Sequence, residues 1–389
     1  MRDPIAAEFL LRPDMTFLNH GSFGATPRPV FAAYQHWQRE LEAQPVEFLG
    51  RRIADLLAEA RRPLAELVGA DRDDLVYVPN VTVAINSIAR SLRLQPGDQV
   101  LGNSHEYGAV ARTWRFVCAH VGAEYVEADL PLPLTDHQSV ADAIWAAVTP
   151  RTRVLVVSEL TSPTALRLPV AELVRRARAA GIISVIDGAH VPGQYDIDLR
   201  ALDPDFYAGN CHKWLLSPKG AGFLYARRDR RPLLEPLIVS WGWDAAAPGI
   251  SPFQDYFGWS GTADPAAYLS VPAAIAFQQA NDWPTHRARC RSLLAAARRE
   301  LIDLLEQPAI CPDHDDWWRQ LAAVQLPPGT DPFRLKSLLW DEHRIEIPTI
   351  PWPGAPLLRI SVQAYNTAAD LDHLLDVLKR LKDQGELGS

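Results

Sequence analysis

The chain lacks paired cysteines. Cys118, Cys211, Cys290 and Cys311 are widely separated and form no CxxC pair, which argues against a disulfide scaffold and a structural zinc site; no metal is expected. An excess of positive charge is also missing. The formal net charge of −8 leaves no basic footprint for nucleic acid, and the local runs RRARAA (175–180) and RRDRR (227–231) read as solvated faces. The N-terminal stretch MRDPIAAEFLLRPDMTF carries Asp3, Glu8 and Asp14 and has no long apolar run. Neither a secretory signal nor a membrane span is expected there, and a cytoplasmic location is the default. Internal repeats and low-complexity tracts are absent. What remains is an ordinary globular balance, 48% hydrophobic and 22% charged over 389 residues, enough for a large core and more than one domain.

Short apolar runs alternate with helical spacing between about residues 70 and 226. The predicted strands are 75–78, 99–102, 124–128, 153–158, 183–187, 205–209 and 222–226, with helices over 83–92, 111–121, 140–148 and 170–180 among them. Such alternation predicts an α/β fold with a mostly parallel, seven-stranded sheet between helices. The unbroken apolar runs RVLVVS and ISVID fit central strands covered on both faces. Two helices, 28–43 and 52–68, precede this unit, separated by QPVEFLG. A Trp-, Pro- and Gly-rich stretch, 232–265, follows it and is too irregular to assign. Helices over 265–281 and 284–307 lead to a smaller C-terminal α+β unit with strands at 321–327, 344–348 and 357–362 and helices at 331–342 and 367–383. The expected division is a large domain over 20–265 and a small one from 1–19 and 266–389.

The string FYAGNCHKWLLSPKGAGFLYA (206–226) places Lys213 just past a strand, before a Gly-rich turn and another strand. A buried lysine near cationic groups becomes a nucleophilic amine able to form a Schiff base with an aldehyde. Upstream, ISVIDGAHVPG puts Asp187 at the C-terminal end of a buried strand, where open α/β sheets bind ligands. A carboxylate there can keep the pyridine nitrogen of pyridoxal phosphate protonated, which makes the ring an electron sink. In VYVPNVTVAINSI (76–88), Thr82 opens a helix whose N-terminal amides offer a phosphate site. Each signal alone is weak, but their order on adjacent strands is specific.

The motif set resembles the class V aminotransferase family of fold-type I pyridoxal-phosphate enzymes, and within it the isopenicillin N epimerase group. The strings that carry the resemblance are FLNHGSFGATP (17–27), NVTVAIN (80–86), NSHEYGA (103–109), SELTSPTA (158–165), DGAHVPG (187–193), GNCHKWLLSPKGAGFL (209–224), WSGTADPAAY (259–268) and LLRISVQAYNT (357–367). They span nearly the whole chain in the family's order. The resemblance implies that Lys213 bears the cofactor and Asp187 pairs with its pyridinium nitrogen. His190 and Ser162 would lie near the phenolic oxygen. Asn80, Val81, Thr82 and His212 would hold the phosphate, with Asn210 where many relatives carry Ser. Gly261 and Thr262 would complete that site from the other subunit of a homodimer. Arg359 would clamp the α-carboxylate of an amino-acid substrate, and Asn19, His20 and Gly21 would line the substrate side. His105 would stack on the ring, while Tyr107, the phenol of HEYGA, competes for the role next to the reacting carbon.

The same resemblance leaves several reactions open. Epimerisation is the first reading; C–S lyase action on cysteine or cysteine-sulfoxide conjugates is the alternative. An aminotransferase, or a cofactor-binding regulator without turnover, is a lesser one. Persulfide-forming desulfurase action is disfavoured, because the stretch before Arg359, IEIPTIPWPGAPLL (345–358), holds no cysteine and Cys311 falls well upstream.

Overall fold

In a computed structural model, residues 4–388 are described; residues 1–3 of the expected 1–19 segment, and residue 389 at the other end, lie outside the described residues. Twelve strands run in chain order as β1 (Thr16–Phe17), β2 (Leu75–Val78), β3 (Gln99–Asn103), β4 (Glu124–Ala128), β5 (Thr152–Ser158), β6 (Ile183–Gly188), β7 (Phe206–Asn210), β8 (Gly222–Ala226), β9 (Leu321–Gln325), β10 (Ile345–Glu346), β11 (Thr349–Ile350) and β12 (Leu357–Ser361). The main sheet has seven strands in the order β2-β8-β7-β6-β5-β3-β4. Only β8 runs against its neighbours. Every strand expected in this sheet is present.

Period-two alternation explains the apolar runs. Leu155 and Val157 of β5 enter one core cluster, whereas Val154 and Val156 enter the other. The second cluster also takes Ile85 and Ile88 from the helix Val81–Ser91 and the fully buried Trp114 from the helix Gly108–Val121. Full burial of such side chains stabilises by roughly 1.5–3 kcal/mol each. Both faces of the sheet are therefore covered, and its C-terminal strand ends form the available edge for a ligand.

The smaller unit carries the antiparallel sheet β11-β12-β9. Here the structure departs from the sequence-based expectations. The run at 344–348 forms only the two-residue β10, which pairs in parallel with β1 instead of joining that sheet. The expected helix 265–281 is two pieces, Ala266–Leu269 and Val271–Ala280, because Pro272 can only open a new helix. QPVEFLG is itself helical, a short turn at Pro45–Glu47 followed by a π-helical turn at Phe48–Arg52 that buries Phe48. Within 232–265, Ser251 caps a helix over Pro252–Gly258. Among the described residues, no helix is long and apolar enough to cross a membrane.

Candidate active site

A cavity of about 310 Å³ opens at the C-terminal ends of the parallel strands. Its walls include Asn80, Val81 and Thr82 after β2, Tyr107 after β3, Ser158 and Ser162 at and beyond the end of β5, Asp187 and His190 from β6 onward, and Asn210, His212 and Lys213 from β7 onward. Sheet register brings the parts together: Ser158 lies opposite Asp187, and Asp187 opposite Ala208.

Lys213 begins a tight turn in which Leu216 N–H donates to the Lys213 carbonyl at 3.1 Å. Leu216 holds φ 68°, a conformation that costs a non-glycine residue on the order of 1–3 kcal/mol. Nζ of Lys213 lies 3.1 Å from Nε2 of His190. Burial, followed by the nearby Arg359 guanidinium, brings the Lys213 ammonium down to about 7 against the opposing pull of Asp187. A free amine is therefore accessible near neutral pH, as Schiff-base chemistry requires. Burial pushes the Asp187 carboxyl up, while the Ala189 N–H, donating at 2.8 Å, and Lys213 pull it down. A protonated ring nitrogen placed there would pull it down further.

The helix Val81–Ser91 presents a partly used N-terminus. Val81 N–H donates to Oδ1 of Asn210 at 3.0 Å and Val83 N–H to Oδ1 of Asn80 at 3.0 Å. The two asparagines and the Val81 amide are thus occupied in capping, and Thr82 lines the cavity in the first turn of the helix. Nδ1 of His212 meets the Ala221 carbonyl at 3.0 Å. A carbonyl only accepts, so Nδ1 carries the proton. Burial lowers this ring to about 4, and a phosphate dianion would favour a second proton on Nε2. Lys219, in the SPKG turn between β7 and β8, also lines the cavity and adds a cation at this end.

Tyr107 lines the cavity and is 47% exposed. His105 does not line it. Nδ1 of His105 pairs with Thr164 Oγ1 at 2.9 Å, Nε2 meets the Leu130 carbonyl at 2.7 Å, and the ring packs edge-on against Trp352. The turn after β3 therefore brings Tyr107 to the cavity wall and turns His105, expected to stack on the cofactor, away from it. Nor do Asn19, His20 and Gly21 reach the cavity; Ser22 and Phe23 do. His20 is fully buried, its Nε2 3.1 Å from the Lys213 carbonyl and its Nδ1 3.0 Å from Tyr365 Oη. Burial takes its ring down to about 3, so it braces the Lys213 backbone as a neutral group. Gly21 packs closely, since a Cβ would lie 3.0 Å from Ser361 Oγ and 3.1 Å from Leu321 Cδ1 and would press both side chains back. At Gly24, φ 72°, a Cβ would collide with the His212 carbonyl oxygen.

Arg359, on β12, is buried and does not itself line the cavity; it lies behind the cavity-lining Ser22 and Ser162 and has no carboxylate partner among the described residues. Nη1 donates to the Ser162 carbonyl at 2.6 Å and to Ser162 Oγ at 3.0 Å, and Nη2 donates to Ser22 Oγ at 3.1 Å. Ser162 therefore anchors Arg359 while also lining the cavity. Burial lowers Arg359 to about 10, so it stays cationic. Gly261 and Thr262 do not line the Lys213 cavity of their own chain; Gly261 lines a separate apolar one beside Tyr77, Trp259 and Tyr268. Cys311 is buried against Arg298 and lies outside the Lys213 cavity.

The model of the family described as aminotransferase class V matches residues 17–374. The chain belongs to that family. It is 39% identical over 382 residues to isopenicillin N epimerase of Streptomyces clavuligerus, covering 96% of each chain. It is 27% identical to a probable chloroplastic L-cysteine desulfhydrase of Arabidopsis thaliana, over 96% of this chain and 84% of that one. Among solved structures, the cysteine desulfurase CsdA of Escherichia coli superposes with a TM-score of 0.81 at 25% identity, over 97% of this chain and 98% of that one. Pyridoxal phosphate is the cofactor of this class V family, and the residues present fit it: an amine that deprotonates near neutrality, a buried carboxylate at a strand end, and a helix N-terminus flanked by His212 and Lys219. Two features of the site escaped the sequence reading. Ser22 was hidden one residue beyond Asn19–Gly21, and Glu106 stood between two better-known side chains. Glu106 accepts from Ser158 N–H at 2.9 Å, from Ser158 Oγ at 2.6 Å and from the Asn103 amide.

Proposed function

We propose that the chain holds pyridoxal phosphate and an α-amino acid in the Lys213 cavity and inverts the configuration at the substrate's α-carbon. The observation that carries this reading is that one cavity is lined by two groups able to move a proton, the Lys213 amine and the Tyr107 phenol. When bound, the cofactor supplies an electron sink for the charge left on the α-carbon. Asp187 holds the proton on the ring nitrogen. Arg359 orients the substrate carboxylate by a two-pronged contact, Lys213 takes the α-proton on one face, and Tyr107 returns a proton on the other. The likeness to isopenicillin N epimerase, extending over nearly the whole chain, supports this reading.

A second reading is β-elimination of a sulfur group from cysteine or a cysteine-sulfoxide conjugate, favoured by the likeness to L-cysteine desulfhydrases. Both readings share an active homodimer in which Gly261 and Thr262 of a second copy complete the phosphate site.

The test incubates holoenzyme with candidate amino acids and scores inversion, release of pyruvate with a sulfur product, and conversion of the cofactor to its pyridoxamine form. Inversion by the wild type, lost in Tyr107→Phe while α-proton exchange with solvent deuterium persists, supports the epimerase. Pyruvate release supports the lyase. Pyridoxamine formation alone overturns both in favour of an aminotransferase. Borohydride should fix the cofactor to Lys213 and not in Lys213→Ala; a label on Lys219 would sink the assignment of the cofactor lysine.

A further inference from the structure

The Arg359 guanidinium is connected to a carboxylate it never touches. Asn19 Nδ2 donates to Glu346 Oε1 at 2.8 Å, Ser22 Oγ donates to Asn19 Oδ1 at 2.5 Å, and Arg359 Nη2 donates to Ser22 Oγ at 3.1 Å. Each direction in this row is forced by chemistry. The Glu346 carboxylate oxygen accepts, which fixes the Asn19 amide with its nitrogen toward β10. The amide oxygen therefore faces Ser22 and takes the hydroxyl's single proton. Ser22 is left with lone pairs alone toward Arg359, which can only donate.

Asn19 is also the residue preceding the short helix His20–Phe23, where an asparagine side chain ordinarily accepts a backbone N–H. No such side-chain cap bond exists here; its oxygen is spent on the Ser22 hydroxyl instead. At the other end of the guanidinium, Ser162 contributes two more neutral acceptors. Both prongs are thus held by uncharged groups, and no carboxylate among the described residues pairs with the positive charge.

We propose that Asn19 is a positioning residue for substrate carboxylate recognition: it keeps Glu346 one step removed from Arg359 and locks Ser22 as a one-way acceptor for Nη2. The inference rests on the reading of Arg359 as the carboxylate clamp. Without Asn19, the Ser22 hydroxyl rotates, Nη2 loses a fixed acceptor, and the two-pronged geometry loosens.

The experiment titrates holoenzyme with two probes of matched shape, L-alanine and L-alaninamide, following the visible band of the bound cofactor and, independently, the heat of binding. Asn19→Ala should weaken L-alanine on the order of tenfold, the scale of one charge-assisted hydrogen bond, and leave L-alaninamide within about twofold by the same reasoning. Ser22→Ala should do the same. Because Asn19 acts through Ser22, adding Asn19→Ala to Ser22→Ala should cost nothing further. Asn19→Ser, too short to span from Glu346 to Ser22, replaces Asn19→Ala if that variant does not accumulate. Equal weakening of both probes, or additive losses in the double variant, overturns the proposal. Arg359→Gln separates the two levels: if it fails to distinguish L-alanine from L-alaninamide, the carboxylate clamp itself is wrong.

Discussion

Trp214 donates its indole Nε1–H to Nδ1 of His190 across 3.3 Å. An indole can only donate, so Nδ1 must accept, and the neutral ring carries its proton on Nε2. That nitrogen faces Nζ of Lys213, and an N–H facing an amine is satisfied only when the amine has a lone pair to offer. Trp214 thereby favours the unprotonated form of Lys213 through the tautomer of the residue between them. Burial and the surrounding cations hold the His190 ring well below its ordinary range, which keeps it neutral throughout.

Trp214→Phe should release that tautomer and let Nε2 accept from a protonated Lys213. The Lys213 ammonium should then titrate above the wild-type value of about 7. The measurement is the rate of cofactor capture by apoprotein, fixed with borohydride, across pH 5.5 to 9. In the wild type the rate rises as pH climbs through about 7, because only the free amine attacks. An unchanged midpoint in the variant would refute the tautomer argument.

Asp187→Ala removes the carboxylate next to Lys213 and the proposed ring nitrogen. Truncating one partner of a buried charge pair costs about 2–5 kcal/mol, and each 1.36 kcal/mol is about tenfold in rate. Turnover should fall by at least about thirtyfold, and by several thousandfold at the upper end of that range. The same variant should lower the midpoint of cofactor capture, since Asp187 raises Lys213. Near-normal turnover would remove Asp187 from the chemistry.

Glu106 gives a prediction about stability. Complete burial raises its carboxyl to about 8, against the hydrogen bonds from Ser158 and Asn103 that favour its charge. A folded-state value above the unfolded one means that the native chain binds the extra proton. The contribution to stability is present in full below the unfolded value and is lost as pH rises through about 8. Glu106→Gln keeps the shape and lacks the titration. Its melting temperature relative to wild type should climb between pH 5 and 8 and level off above; a difference independent of pH would contradict this.

The proposed dimer has a surface to account for it. Val239, Trp241, Trp243 and Ile250 are exposed, Trp241 to 85%, large apolar side chains that the proposed dimer would cover. Sedimentation equilibrium at micromolar protein should give twice the chain mass of 43.2 kDa. Trp241→Ser should shift the population toward monomer and lower activity most at low protein concentration. A fully active monomer would refute the shared-site reading.

The main sheet was legible because its strands are buried on both faces, which turns a periodic pattern into continuous runs such as RVLVVS. Lys213 and Asp187 were legible because each follows directly from such a run. The two-residue strands β1 and β11 were not, since two residues carry no period. The choice between His105 and Tyr107 depends on how the chain turns after β3, and a shift of two positions there decides which side chain meets the cavity. Asn19, His20 and Gly21 were recognisable as a motif, yet the turn they form sends Ser22 and Phe23 inward. Spacing along a sequence does not report which residue of a turn points where.

The anchoring of Arg359 also sets an order of events in biosynthesis. Its guanidinium is held by Ser162, 197 residues earlier, and by Ser22, 337 residues earlier. Lys213, Asp187 and the helix at Val81 belong to one contiguous stretch that can assemble as it leaves the ribosome, because pairings close in sequence form before distant ones. The proposed carboxylate clamp can close only after β12 emerges. A chain halted short of β12 would therefore lack both the guanidinium that helps to lower the Lys213 ammonium and the proposed clamp for a substrate carboxylate.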